Sequence, residues 1–193
     1  MNISADNLQD WLIKNDINFI KNLNLSLKSW IKAGGIINTF IQPNNIDECE
    51  KLIRTFSSQN MEFYVLGNQS NTIIRDGLIK TPIINLSKLS NLEINNSARG
   101  LSIICGGGVP IPRFSKKVTD SGFSGAEGIL GIPGTIGGGI CMNASSYNCH
   151  VCDYISEVKL ITKNGERKNS ECMQQRLSFF ISYYTRPSYL STG

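Results

Sequence analysis

The chain has 193 residues, 40% of them apolar, enough for one domain with a buried core or for two small ones. Its 19 basic and 15 acidic side chains leave a net charge of +4, a mild attraction for anionic ligands such as nucleotides, while no basic block or aromatic–basic alternation marks a nucleic-acid binder. No apolar run approaches the roughly 20 residues of a membrane span, and the first residues lack a secretory pattern, so a cytoplasmic protein with no membrane and no nucleic-acid partner is expected.

Residues 6–23 read as a helix, with Leu8, Trp11, Leu12 and Asn15 at helical spacing and Asp6 as its cap. Residues 29–33 read as a strand entering the turn Gly34-Gly35, and Ile36 to Gln42 as a second strand stopped by Pro43. Asp47 to Gln59 is amphipathic, with Cys49, Leu52, Ile53 and Phe56 on one side. Glu62 to Leu66 is a short strand leading into the loop Gly67-Asn68-Gln69-Ser70-Asn71. Short strand candidates then follow at 72–75, 81–86, 92–94 and 101–105, a helix at 112–121 with Phe114 and Val118 inward, and a strand at 158–162 ending in the hairpin turn 163–166. The fold class expected is α+β: a small mixed β-α-β lobe over 1–71, a larger multi-strand lobe over 72–170, and an atypical tail over 171–193.

The glycines carry the functional signal. Gly131-Ile132-Pro133-Gly134-Thr135-Ile136-Gly137-Gly138-Gly139 follows the cluster Gly106-Gly107-Gly108 and the loop 66–71. Glycine reaches positive φ without penalty, and runs of free main-chain N–H groups form concavities for anions. The three loops together suggest a large phosphorylated ligand held mainly by main chain, with Ser70, Asn71 and Thr135 adding side-chain groups. In the 131–139 run, Gly137 to Gly139 allow either a helix start or the close approach of another backbone. No lysine follows these glycines, so this is not a P-loop, and the strand–helix unit with a distal acid that marks a dinucleotide fingerprint is missing.

Six cysteines at 49, 105, 141, 149, 152 and 172 are too sparse for a disulfide framework. Cys149-His150-Val151-Cys152 has the spacing of a zinc or redox pair, but His150 is the only histidine and the pair lies between a glycine loop and a strand rather than at a helix N-terminus, so incidental thiols and no metal are expected.

The order of these motifs resembles the UDP-N-acetylenolpyruvoylglucosamine reductases, the MurB family of flavoproteins. The run Gly131 to Gly138 followed by Asn143-Ala144-Ser145-Ser146-Tyr147, the segment Leu66 to Asp76 and the segment Ser29 to Gly35 carry the resemblance, together with Gly125-Ala126-Glu127-Gly128 and Asp153. It implies the two-lobed FAD-binding domain of vanillyl-alcohol-oxidase (PCMH) type. It also implies an activity in peptidoglycan synthesis: NADPH reduces the flavin, and hydride then passes to the enolpyruvyl group of UDP-N-acetylglucosamine enolpyruvate. By the same resemblance Gly67, Asn68, Gln69, Ser70, Asn71, Gly131, Ile132, Pro133, Gly134, Thr135, Gly137 and Gly138 hold FAD, while Asn143 and Tyr147 lie near the ring and the substrate.

Departures from the family pattern bear on this. Asn68 and Gln69 stand where glycines are usual, and Gln reaches positive φ poorly. By the resemblance, an Arg, a later Ser and a late Glu stabilise the developing charge and supply the proton, and the Ser and Glu belong to a C-terminal substrate-binding domain expected to be absent here, so this chain alone is expected to be inactive unless a separate polypeptide supplies them. Tyr184-Thr185-Arg186-Pro187-Ser188 keeps Arg-x-Ser, which makes Arg186 the one catalytic candidate, against a solvated tail arginine. Codons can be chosen for Cys172 to Tyr183 whose +1 reading restores the family's Phe-x-Tyr-Arg, so a frameshift near residue 170 is one account of the tail. The rival functional readings are a non-catalytic FAD-binding remnant and a flavin-binding module of another purpose.

Overall fold

The computed structural model describes residues 7–29, 32–97, 100–171 and 183–185. The chain divides into two compact units: the first takes residues up to Leu89 with the turn Thr162–Glu166, and the second takes Ser90–Ile161 and the residues from Arg167 onward.

The first unit opens with α1 (Leu8–Lys14), which is much shorter than the 6–23 expected. The polar pair after it stops the helix: Asn15 Nδ2 donates back to the Trp11 carbonyl at 2.7 Å, and Asp16 takes a left-handed φ of 55°. The rest of the expected helix is instead β1 (Phe19–Asn24), paired antiparallel with β2 (Ile36–Ile41). Between them, Ser29 and the residues after Trp30-Ile31 form a loop rather than the expected strand; Trp30 and Ile31 themselves lie outside the described residues. Helix α2 (Ile46–Ser58) matches its expected span to one residue, because Cys49, Leu52, Ile53 and Phe56 are all buried and Asn45 Oδ1 caps the Glu48 N–H at 2.9 Å.

Strands β3 (Tyr64–Leu66), β4 (Leu78–Ile79) and β5 (Ile83–Asn85) complete this unit's sheet, in the order β1-β2-β5-β3 with β4 beside β2. The β2–β5, β3–β5 and β2–β4 pairs are parallel. Residues 72–75, expected as a strand, are irregular. Their backbone approaches the Gly34-Gly35 turn instead: Gly35 N–H donates to the Arg75 carbonyl at 3.1 Å and Ile36 N–H to the Gly77 carbonyl at 2.9 Å. A Cβ built on Gly35 would stand 2.0 Å from the Gly77 oxygen, so only glycine permits this crossing.

The second unit is an antiparallel sheet. β6 (Leu92–Ser97) pairs with β7 (Gly100–Gly106), and β10 (Glu157–Ile161) with β11 (Arg167–Glu171), while β12 (Tyr183–Thr185) lies between β10 and β7. Helix α3 (Ile111–Asp120) turns Ile111, Phe114 and Val118 into a core with Ile103, Val109, Ile129, Ile140, Val151 and Val158. Helix α4 (Ile136–Met142) and the two-residue strands β8 (Ser145–Ser146) and β9 (Cys149–His150) follow the 131–139 glycine run. Tyr147 and Asn148 make the β8–β9 turn with φ of 48° and 59°, the left-handed pair that a tight hairpin requires.

Candidate functional site

In the first unit a cavity of about 640 Å³ opens beside the loop after β3, a size ordinary for small-molecule and cofactor sites. Gly67, Asn68 and Gln69 line it, as do Lys28 and Lys32 from the loop after β1. Phe40 supplies an apolar wall, and Gln42, Asn85 and Ser87 a polar one. The loop that carries the two lysines is fastened by Ser29, whose buried Oγ donates to the Ala33 carbonyl at 2.7 Å and accepts from the Ala33 N–H at 3.1 Å.

Asn85 sets the position of the loop after β3. It ends β5, in register with Leu66, and is buried. Its Nδ2 donates to the carbonyls of Leu66 at 3.0 Å and Gly67 at 2.9 Å. Its Oδ1 accepts from Ser87 N–H at 3.2 Å and from Gln42 Nε2 at 3.3 Å, and Gln42 Nε2 also donates to Ser87 Oγ at 2.9 Å. Both ends of the Asn85 amide are therefore committed to holding the chain as it enters the loop.

Gln69 adopts the left-handed φ of 57° that its side chain disfavours, and it is only 8% exposed. Its Oε1 is buried with no hydrogen-bond partner. Asn68 and Asn71 are exposed and Ser70 is half-buried; Ser70 and Asn71 lie outside the cavity lining.

The second-unit glycine run has a different construction. Thr135, buried to 2% exposure, caps α4 by accepting the Gly138 N–H on Oγ1 at 3.3 Å. The N–H groups of Ile132, Ile136, Gly137 and Gly139 all donate to carbonyls within this unit, that of Gly137 to Gly107 at 2.9 Å. A Cβ on Gly137 would lie 3.0 Å from the Gly107 oxygen and 3.2 Å from its Cα. Both alternatives read from the sequence, a helix start and a close backbone approach, therefore occur in the same three residues. Gly134 has a φ of 120°, Pro133 and Gly131 are exposed, and a Cβ on Gly131 would meet nothing within 4 Å.

Asn143 ends α4 in the left-handed region, with φ of 43°, and its Oδ1 is also buried without a partner. Tyr147, at the hairpin tip, is 89% exposed. Arg186 lies outside the described residues.

Cys105 of the second unit is buried and Tyr154 half-buried. Burial pushes the Cys105 thiol up to about 12. Burial first, then the hydrogen bond with Cys149 and nearby acidic charge, raises the Tyr154 hydroxyl. Among the described residues, Cys49, Cys105, Cys141, Cys149 and Cys152 are thiols outside any disulfide, no group of three or more His, Cys, Asp or Glu could hold a metal, and no helix is long and apolar enough to cross a membrane.

Gln42, Asn85 and Ser87 are not legible as site residues from the sequence. The only local sign is an amide closing the otherwise apolar strand Ile83-Ile84-Asn85, and apart from Ser87 its partners lie 18 to 43 positions away.

FAD suits these donors and acceptors. Lys28 and Lys32 at the cavity fit the charge of its phosphates. A sequence-family profile described as FAD binding domain matches residues 37–170, so the α+β class expected from the sequence is that of an FAD-binding domain. The chain is 33% identical over 168 residues to the UDP-N-acetylenolpyruvoylglucosamine reductase of Lactobacillus acidophilus, covering 87% of this chain and 55% of that one. It is 31% identical over 166 residues to the protein of the same name from Listeria monocytogenes serotype 4b, covering 86% and 54%. The crystal structure of UDP-N-acetylenolpyruvylglucosamine reductase (MurB) from Thermus caldophilus superposes with a TM-score of 0.69 at 18% identity, over 87% of this chain and 61% of that one. Cholesterol oxidase from B. sterolicum superposes at 0.68 and 13% identity, over 89% and 37%, a likeness of PCMH-type fold alone. Within the FAD-binding domains, the chain belongs to the MurB family. It spans about half the length of the curated relatives it matches.

Proposed function

We propose that this chain is the FAD-binding part of a UDP-N-acetylenolpyruvoylglucosamine reductase acting in peptidoglycan synthesis. Bound FAD supplies a two-electron relay between NADPH and the enolpyruvyl double bond of UDP-N-acetylglucosamine enolpyruvate, giving UDP-N-acetylmuramate. The observation that carries the reading is the first-unit cavity, lined by Lys28, Lys32 and the loop Gly67-Asn68-Gln69, in a chain of this family.

In this reading Lys28 and Lys32 offset phosphate charge, and Gly67 to Asn71 wrap the same part of the ligand. Ser29 and Asn85 hold those two loops in place before the ligand arrives, so less ordering is needed on binding. Gly131, Ile132, Pro133, Gly134, Thr135, Gly137 and Gly138 form a preorganised edge in the second unit that meets the ligand by shape, since the N–H groups of Ile136 to Gly139 already have partners. Asn143, with its buried unpaired Oδ1, and Tyr147, with its exposed ring, serve the flavin ring and the substrate.

Titration of the purified chain with FAD tests the first step. Binding is expected to quench flavin fluorescence and shift its visible spectrum, and an unchanged spectrum at high protein concentration removes the reading. NADPH oxidation that depends on the enolpyruvyl substrate, assayed on the natural full-length protein, tests the second step.

A further inference from the structure

The polar wall of the first-unit cavity has its hydrogen-bonding capacity spent at Asn85 and spare at Gln42 and Ser87. Asn85 is saturated: Nδ2 donates to the Leu66 and Gly67 carbonyls, and Oδ1 accepts from the Ser87 N–H and from Gln42 Nε2. Its amide cannot be turned round, because two carbonyls face its nitrogen and an N–H faces its oxygen. This fixes Gln42 in turn. Its Nε2 reaches Asn85 Oδ1 at 3.3 Å and Ser87 Oγ at 2.9 Å, which uses both hydrogens of that nitrogen and turns the oxygen away from Asn85. Among the described residues Gln42 Oε1 receives no hydrogen bond, and Ser87 Oγ accepts one and donates none. Both residues are half-buried and line the cavity. The Gln42 oxygen is also not one of the unpaired oxygens sealed inside the protein, which are those of Gln69 and Asn143.

We infer that Gln42 and Ser87 form a specificity pair, in which Gln42 Oε1 accepts a hydrogen bond from an N–H or O–H group of the ligand and the Ser87 hydroxyl donates to an acceptor beside it. The inference rests on the FAD reading for the identity of the ligand, and it adds which part of that ligand meets the polar wall. The diphosphate of FAD has no hydrogen to donate, so against Gln42 it would set oxygen against oxygen. Lys28 and Lys32 offer it charged donors instead. The phosphates therefore belong with the lysines, and a hydroxyl or amino group of the same ligand belongs with Gln42. FAD carries such groups on both its halves, the adenosine and the ribityl flavin. Because Asn85 and Ser87 anchor the Gln42 amide from behind, its oxygen is ordered before the ligand arrives, and a ligand without the donor leaves it unpaired.

Isothermal titration calorimetry with FAD, ADP and FMN tests this on the parent chain and three variants, each also checked for thermal unfolding without ligand. Gln42→Met removes the acceptor and is expected to bind FAD about tenfold more weakly. Ser87→Ala removes the hydroxyl and is expected to lose about fivefold, while Ser87→Thr keeps it and is expected to stay within about twofold of the parent. A loss in Gln42→Met confined to ADP supports the pair and puts the donor on the adenosine half; a loss confined to FMN supports it and puts the donor on the ribityl flavin half. Equal losses for ADP and FMN overturn the inference, since a loosened loop weakens both alike. Parental FAD affinity in Gln42→Met also overturns it and leaves the FAD reading intact. So does a Ser87→Thr variant as weak as Ser87→Ala, and this comparison decides if Gln42→Met unfolds far below the parent. Failure of the parent chain itself to bind FAD overturns the FAD reading, and this inference with it.

Discussion

Two loops that the sequence assigns to the same ligand are built to opposite ends. In the run at 131–139 of the second unit Thr135 caps the helix, the Gly137 N–H reaches the Gly107 carbonyl, and glycine is there because two backbones touch. The loop at 67–71 in the first unit is held from outside by Asn85 and leaves Gln69, in a strained conformation, with a buried oxygen that has no partner. One loop is finished as a piece of architecture. The other carries a strained residue whose buried oxygen has no partner. The fate of each loop's polar atoms separates the two cases.

The change that breaks this contrast most severely is Asn85→Ala. It removes both donors to the Leu66 and Gly67 carbonyls and the acceptor for Gln42 and Ser87, all around a residue 4% exposed. Unpaired buried groups cost about 1–3 kcal/mol each, so a loss of about 3 kcal/mol is expected, read as a fall in the urea midpoint. FAD affinity should fall with it, because the loop entry is no longer fixed. A variant of parental stability and parental affinity would show that the loop is not held from outside.

How far the sequence reveals these features follows from the range of the interactions. Helix α2 is legible because its stripe Cys49, Leu52, Ile53 and Phe56 is local, as is α3 with Phe114 and Val118. The 6–23 segment misleads because Phe19, Ile20 and Leu23 fit helical spacing as readily as a partly exposed strand. Only the left-handed Asp16 and the pairing of β1 with β2 decide between them. The loops 67–71 and 131–139 are visible as glycine and turn chemistry, and they point to the family. The role of each is not, because it depends on partners far along the chain: Asn85 for Gly67, and Gly107 for Gly137. Gln69 stands out in the sequence as an awkward replacement, but that it sits buried at positive φ can only come from the structure.

A second test sharpens the contrast from the other side. Gly137→Ala places a methyl 3.0 Å from the Gly107 oxygen. The two backbones cannot separate freely, because the Gly137 N–H is bonded to that same oxygen at 2.9 Å. Overpacking of this kind costs about 1–3 kcal/mol, and the better helix propensity of alanine returns up to about 1 kcal/mol. A net destabilisation of about 1–2 kcal/mol by chemical denaturation is expected. A neutral result would mean that the approach of Gly107 and Gly137 has slack, and that this loop is less finished than its hydrogen bonds indicate.

The smallest expected effect has the opposite sign. Gln69→Gly relieves a left-handed conformation worth about 1–2 kcal/mol and removes an unpaired buried oxygen. The greater freedom of glycine in the unfolded chain offsets about 0.5–1 kcal/mol of that gain. The free protein should therefore become more stable by about 1 kcal/mol, seen as a higher denaturation midpoint without ligand. If the glycine variant is instead less stable, the side chain of Gln69 is a packing element, and the first-unit loop is as self-contained as the second.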